Sequence, residues 1–147
     1  MTPKQKEILR MTWRQVVPIG DAAAAMFYER LFAIDPTTEP MFATVDAAEQ
    51  RKKLLAALAH VVGGLDDFGT IQPVLEDLGR RHAGYGVQDS QYDSVGRALL
   101  WTLEQGLGEA WTDEAAEAWA TAYGAISGTM RDAARLAGAA PPLRLAV

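Results

Sequence analysis

The side chain best suited to chemistry in this sequence is His82, one of only two histidines. It closes the stretch Val74-Leu75-Glu76-Asp77-Leu78-Gly79-Arg80-Arg81-His82, in which positions 74, 78 and 82 fall four apart. On a helix that spacing aims the imidazole the same way as two apolar side chains. An imidazole facing an apolar space suits a haem iron as its protein ligand. It equally suits a core histidine satisfied by a backbone carbonyl, and the stretch alone leaves both readings open. The absence of cysteine excludes a disulfide framework, a thiolate metal site, a thiol nucleophile and a thioether-linked pigment.

The elements that must position this residue read as helices from end to end. Thr2-Pro3-Lys4-Gln5 combines a cap residue, proline at the first helical position and glutamine three after the cap; it opens a helix carrying Ile8, Leu9, Trp13, Val16 and Val17, closed by Pro18 and Gly20. A second helix is predicted from about Asp21 to Ala33, and Asp35-Pro36 starts a short helical turn ending near Met41-Phe42. Asp46 caps a helix with Leu54, Leu55, Leu58, Val61 and Val62, broken at Gly63-Gly64. Pro73 to His82 is predicted as a short helix, with Ala83-Gly84-Tyr85-Gly86 too glycine-rich to continue it. Two longer helices follow, one from about Asp89 to Leu107 and one capped by Thr112 with Trp119, Tyr123, Ile126 and Met130 on its buried stripe. No strand-period segment or hairpin signal is present. Residues 1–138 thus read as one all-α domain of about seven helices, and residues 139–147 as a short frayed tail.

Composition bounds the possible partners. With 49% hydrophobic and 22% charged residues this is the profile of an ordinary globular protein, and 147 residues bury one substantial core. A net charge of −5, with no basic run longer than Arg51-Lys52-Lys53, offers no electrostatic footprint for nucleic acid. The start lacks a secretory pattern, and no apolar run approaches the roughly 18 residues a membrane span needs. A cytoplasmic location is the resulting expectation.

Three stretches make a more specific likeness: Met26-Phe27-Tyr28-Glu29-Arg30-Leu31-Phe32; Pro40-Met41-Phe42; and Arg81-His82 through Gly86-Val87 to Tyr92 and on to Ala118-Trp119-Ala120-Thr121-Ala122-Tyr123-Gly124. Together they resemble the bacterial single-domain haemoglobins of the Vitreoscilla type and the globin domain of flavohaemoglobins, over about residues 4 to 137. The resemblance implies a globin fold packed around a haem pocket, haem b (iron protoporphyrin IX) as cofactor, and His82 as the proximal iron ligand.

The resemblance also implies the other walls of the pocket. Tyr28 and Gln50 match the distal ligand-binding pair, and at about 100° per residue Leu54, Ala57 and Val61 share the Gln50 face as apolar lining. Phe42 matches the phenylalanine that stacks on haem, Val87 a residue packed under the porphyrin, and Arg81 a basic group near a propionate, though Arg80-Arg81 reads equally as a solvated pair. Tyr92 matches one member of a proximal hydrogen-bond network, but Ala134 stands where the family's glutamate is expected, and Asp132 lies about 200° around the helix from it. That departure weakens the electron push on the proximal histidine. His60, about 280° around the helix from Gln50, reads as exposed and non-ligating, which leaves the iron pentacoordinate. The implied activity is reversible dioxygen binding for storage, delivery or scavenging, with nitric oxide and carbon monoxide as further ligands. The alternatives are nitric oxide dioxygenation served by a separate reductase, and gas sensing. Related haemoglobins pair, so a homodimer is compatible with the likeness.

Overall fold

The structure is a computed structural model that describes the backbone of residues 1–139 and the side chains of 1–137. Six α-helices form: α1 (Pro3–Val16), α2 (Gly20–Ile34), α3 (Ala47–Gly63), α4 (Phe68–Gly84), α5 (Asp89–Leu107) and α6 (Asp113–Ala139). Three 3₁₀ segments join them, at Val17–Ile19, Pro36–Phe42 and Gly108–Ala110, and no strand occurs among the described residues. Counting the Pro36–Phe42 segment, this is the all-α layout of about seven helices that periodicity predicts. Of the expected tail, Ala139 ends α6 and the rest lies outside the described residues. No described helix is long and apolar enough to cross a membrane.

The helix starts follow from their capping residues. The Thr2 hydroxyl accepts the Gln5 N–H while the Gln5 side chain accepts the Thr2 N–H, a reciprocal box that satisfies two otherwise free donors. Asp46 accepts the Glu49 N–H at 3.0 Å, and Thr112 the Ala115 N–H at 3.1 Å.

Helix α4 departs from the expected boundaries, beginning at Phe68 rather than Pro73 and ending at Gly84 rather than His82. Pro73 is tolerated inside it because the N–H it lacks would have bonded the carbonyl of Gly69, an exposed residue whose oxygen water can satisfy. At the other end, Gly84 stays helical and the stop is Gly86, whose φ of +87° is left-handed. Around Gly86 the Val87 N–H reaches the His82 carbonyl at 3.0 Å and the Gly86 N–H the Ala83 carbonyl at 3.1 Å, the paired bonds of a Schellman stop.

Packing sets α4 on α6, α2 on α5 and α1 on α6, with α3 resting on α2 and α1. Leu9, Trp13, Phe27, Leu31, Leu99 and Trp119 form the heart of the main core. A smaller cluster, Ile71, Leu75, Tyr92 and Met130, fills the angle between α4, α5 and α6. The buried indole of Trp119 donates from Nε1 to the Thr12 hydroxyl at 2.9 Å, and Thr12 in turn donates to the Ile8 carbonyl at 2.7 Å. Thr12→Val keeps the shape but strands the indole N–H, at a cost of about 1–3 kcal/mol. The melting temperature should then fall by roughly 2–12 °C, read by calorimetry.

Candidate functional site

His82 lies in the last turn of α4, half-buried, with its Nδ1 2.6 Å from the Leu78 carbonyl oxygen. A carbonyl only accepts, so Nδ1 carries the proton and Nε2 is left with a free lone pair. Burial lowers the imidazole pKa from its ordinary value, partly offset by the Leu78 carbonyl, so the ring is neutral at pH 7. The Leu78 bond and the Schellman stop at Gly86 hold side chain and backbone of the same residue. Both follow from local sequence, an acceptor four residues back and a glycine four residues on.

A second polar pair stands on α2 and α3. Gln50 donates from Nε2 to the Tyr28 hydroxyl oxygen at 3.1 Å. With that lone pair engaged, the phenol O–H is free to donate elsewhere. Burial raises the Tyr28 pKa, opposed in part by the Gln50 bond, so the phenol stays protonated. Phe42 stands edge-on to Tyr28 at 5.4 Å between ring centroids, and a cavity of about 380 Å³ opens beside Tyr28, Phe42, Gln50, Val45 and Arg51.

Gln50 stands on α3 and His82 on α4; the cavity lies on the Tyr28–Gln50 side without His82 in its lining, and the slot between the two helices is given by their separation. Helices α3 and α4 are consecutive in sequence yet make no more than marginal contact. Tyr28, Phe42, Leu54, Ala57, Val61, Leu78, His82 and Val87 are all half-buried, neither core nor open surface. Apolar side chains held at that intermediate level from several helices are what lines a cleft for a large apolar group. Among the described residues no group of three or more His, Cys, Asp or Glu could hold a metal ion by itself. A neutral imidazole with a free Nε2 beside an apolar slot nevertheless fits haem, which brings four ligands of its own and asks the protein for one.

Placement of the remaining candidates is uneven. Val87 packs with Leu78 in the smaller cluster, and the Tyr92 ring lies 6.4 Å from that of His82. Leu54 packs against the main core and Ala57 is half-buried on the same helix. Arg81 is mostly exposed and paired with Asp77 at 2.6 Å, the geometry of a solvated ion pair on the α4 surface. Val74, expected to share the His82 face, is 40% exposed, because each step of four residues drifts about 40° and two steps carry it away. His60 is exposed at the end of α3. Ala134 is half-buried, and Asp132 is exposed and bonded to Arg135 at 2.9 Å. The Tyr92 hydroxyl is therefore buried without a hydrogen-bond partner. The backbone carbonyl that the sequence leaves open as a partner of His82 is present, at Leu78, while one contributor escapes sequence reasoning: Arg131, whose guanidinium carbon stands 5.1 Å from the centre of the Tyr92 ring.

The sequence profile of the family described as Globin matches residues 25–130. Flavohemoproteins of Rhizobium meliloti (strain 1021) and Bordetella parapertussis are 33% and 31% identical to the chain over 129 residues, covering 86% of it and 32% of each relative. The chain thus spans about a third of the length of these curated relatives. Among solved structures, a bacterial globin from Campylobacter jejuni superposes with a TM-score of 0.80 at 23% identity, covering 91% of this chain and 96% of that one. A hexacoordinated heme protein from an anhydrobiotic tardigrade superposes with a TM-score of 0.82 at 18% identity, covering 92% and 96%. At these identities the two structures speak for a shared fold.

Proposed function

The chain belongs to the globin family, a family of haem proteins, and from that premise we propose that it holds one b-type haem in the α3–α4 slot and binds dioxygen reversibly there. The observation that carries this reading is the geometry of His82, whose Nδ1 is committed to the Leu78 carbonyl at 2.6 Å and so leaves Nε2 to ligate. When bound, haem would supply an iron able to hold a diatomic gas without consuming it.

The chain's own residues then divide the work. His82 binds iron through Nε2, and its bond to Leu78 fixes the ring plane and the tautomer. Tyr28 offers its O–H to the gas, and Gln50 keeps the phenol oriented by donating to its oxygen. Phe42, Leu54, Ala57 and Val87 exclude bulk water from the slot, which slows oxidation to the ferric state. His60 is exposed on α3 and would supply no second ligand to a haem held by His82.

Tyr28→Phe removes the donor and keeps the ring. Dioxygen dissociation should accelerate roughly 2- to 10-fold, the equivalent of one net hydrogen bond of about 0.5–1.5 kcal/mol. Stopped-flow displacement of dioxygen by carbon monoxide measures it, and an unchanged rate refutes the donor role.

Similarity to flavohemoproteins favours a second reading, nitric oxide dioxygenation with electrons from a separate reductase. The absence of a carboxylate behind His82 weighs against it, since Ala134 and the outward Asp132 leave the imidazole without a strong proximal acceptor. Mixing the oxygenated protein with nitric oxide separates the readings: repeated turnovers with a cellular reductase support the enzyme, one turnover alone the carrier.

A further inference from the structure

Behind His82 lies a group of side chains that gas binding does not explain. Tyr92 is buried, its ring tilted 31° to that of His82. Arg131 places its guanidinium carbon 5.1 Å from the centre of the Tyr92 ring. The Tyr92 hydroxyl and the Arg131 Nε are both buried, and they are the two buried side-chain polar atoms among the described residues with no hydrogen-bond partner. Arg131 is anchored from its other end, Nη2 donating to Asp93 at 2.6 Å. The Tyr123 hydroxyl donates to the Tyr92 carbonyl at 2.6 Å and fixes the backbone of the ring between them.

Burying a guanidinium N–H without an acceptor is costly, and a methionine or leucine would fill the same apolar space without that cost. We propose that Arg131 is a positioning residue of the haem site: it stacks on Tyr92, seats that ring against His82, and sets a fixed positive charge there that favours ferrous over ferric iron. The proposal rests on His82 being the iron ligand.

Electrostatics supports the sign. Ferric haem carries one more positive charge than ferrous haem, so a nearby cation disfavours it. Asp93, bonded to Arg131 at 2.6 Å, offsets part of that cation but is 70% exposed; among the described residues Asp89 is paired with Arg135 at 3.3 Å and 62% exposed, and Asp132 points outward. Water screens the carboxylates in part, so they leave a net positive field from Arg131, whose Nε is not exposed, and removing the Asp93 charge enlarges it. A unit charge on the order of 10 Å away, in an effective dielectric between about 20 and 80, changes the ferrous-to-ferric ratio at a fixed applied potential by about 2- to 20-fold.

Spectroelectrochemical titration of the haem-loaded full chain tests this. Arg131→Met should move the ratio toward ferric by about 2- to 20-fold, Arg131→Lys should stay within about twofold of the wild type, and Asp93→Asn should move it toward ferrous. A lysine variant as displaced as the methionine one overturns the charge role, because stacking alone would then account for the effect. Unchanged ratios in both Arg131→Met and Asp93→Asn, with the Soret band intact, overturn the proposal and leave the His82 assignment standing. If Arg131→Met fails to take up haem, the surface variant Asp93→Asn decides alone: a ferrous shift supports the proposal and no shift overturns it. A wild-type protein with no Soret band on adding hemin overturns the His82 assignment and this proposal with it.

Discussion

Replacing His82 by alanine is expected to abolish the wild-type Soret spectrum and to weaken hemin binding by more than the roughly 100-fold that loss of a supporting hydrogen bond costs a metal site. The apoprotein should survive the change. Alanine is the best helix former, and the Leu78 carbonyl freed from Nδ1 keeps its place in the α4 hydrogen-bond ladder. Far-UV circular dichroism should therefore be unaltered while haem is lost, and millimolar imidazole, filling the space left beside Leu78, should restore much of the spectrum. A second readout is thermal. At hemin about 1,000-fold above its dissociation constant, binding stabilises the wild type by roughly 4 kcal/mol. That corresponds to about 8–16 °C in melting temperature, a gain the variant should lack. The same residue sets a pH dependence. Its folded pKa lies below the unfolded value near 6.5, burial being the first cause. Between the two values the unfolded chain binds more protons, so the contribution of His82 to stability is complete above about 6.5 and is lost as pH falls through the folded pKa. Protonated Nε2 cannot ligate iron, so haem retention should fall in the same acid direction. A variant that keeps its Soret band and its hemin-dependent stabilisation would remove His82 from the site.

Much of this arrangement is legible in the chain because it is local. The caps Thr2, Asp46 and Thr112 each act within three residues, and α5 spans the Asp89–Leu107 range that periodicity predicts. Tyr28 and Gln50 meet across 22 positions, and only the likeness to a known family paired them in advance. What stayed hidden depends on groups that sequence does not order in space. Pro73 reads as a helix start, yet helix formation runs through it because the carbonyl it deprives faces solvent. The imidazole's acceptor is a backbone carbonyl, one of the two partners the sequence leaves open, and no pattern of side chains says that it belongs to Leu78. Arg131 belongs to no motif or spacing in the sequence; only the packing of α5 against α6 lays it over Tyr92. Of the stripe Val74, Leu78, His82 only the last two mark one wall of α4, and the pattern misses the face that packs on α6, which is Ile71, Leu75 and Gly79.

Gly79 on that face should be the least replaceable residue of α4. A Cβ built on it would come 2.2 Å from the Met130 carbonyl oxygen and 2.8 Å from the Met130 Cα. These are backbone atoms of α6, so no rotamer change relieves the clash and one helix must move away from the other. Overpacking a core costs about 1–3 kcal/mol, and a backbone contact belongs at the upper end or beyond. Gly79→Ala should therefore lower the melting temperature by roughly 6–12 °C or more. Gly84, also on α4, supplies the control, since nothing lies within 4 Å of the Cβ an alanine would add there. Gly84→Ala should be neutral or stabilising by up to about 0.5–1 kcal/mol, the ordinary gain of alanine over glycine in a helix. Opposite signs from one chemical change on one helix isolate the α4–α6 crossing as the cause. That crossing also carries the site: His82 follows Gly79 by less than one turn, so a displaced α4 shifts Nε2 relative to the slot. Hemin affinity in Gly79→Ala should fall even at temperatures where circular dichroism reports full helicity. Equal melting temperatures for the two alanine variants would mean that α4 and α6 do not cross at Gly79 and Met130, and the placement of His82 would have to be reconsidered from that point.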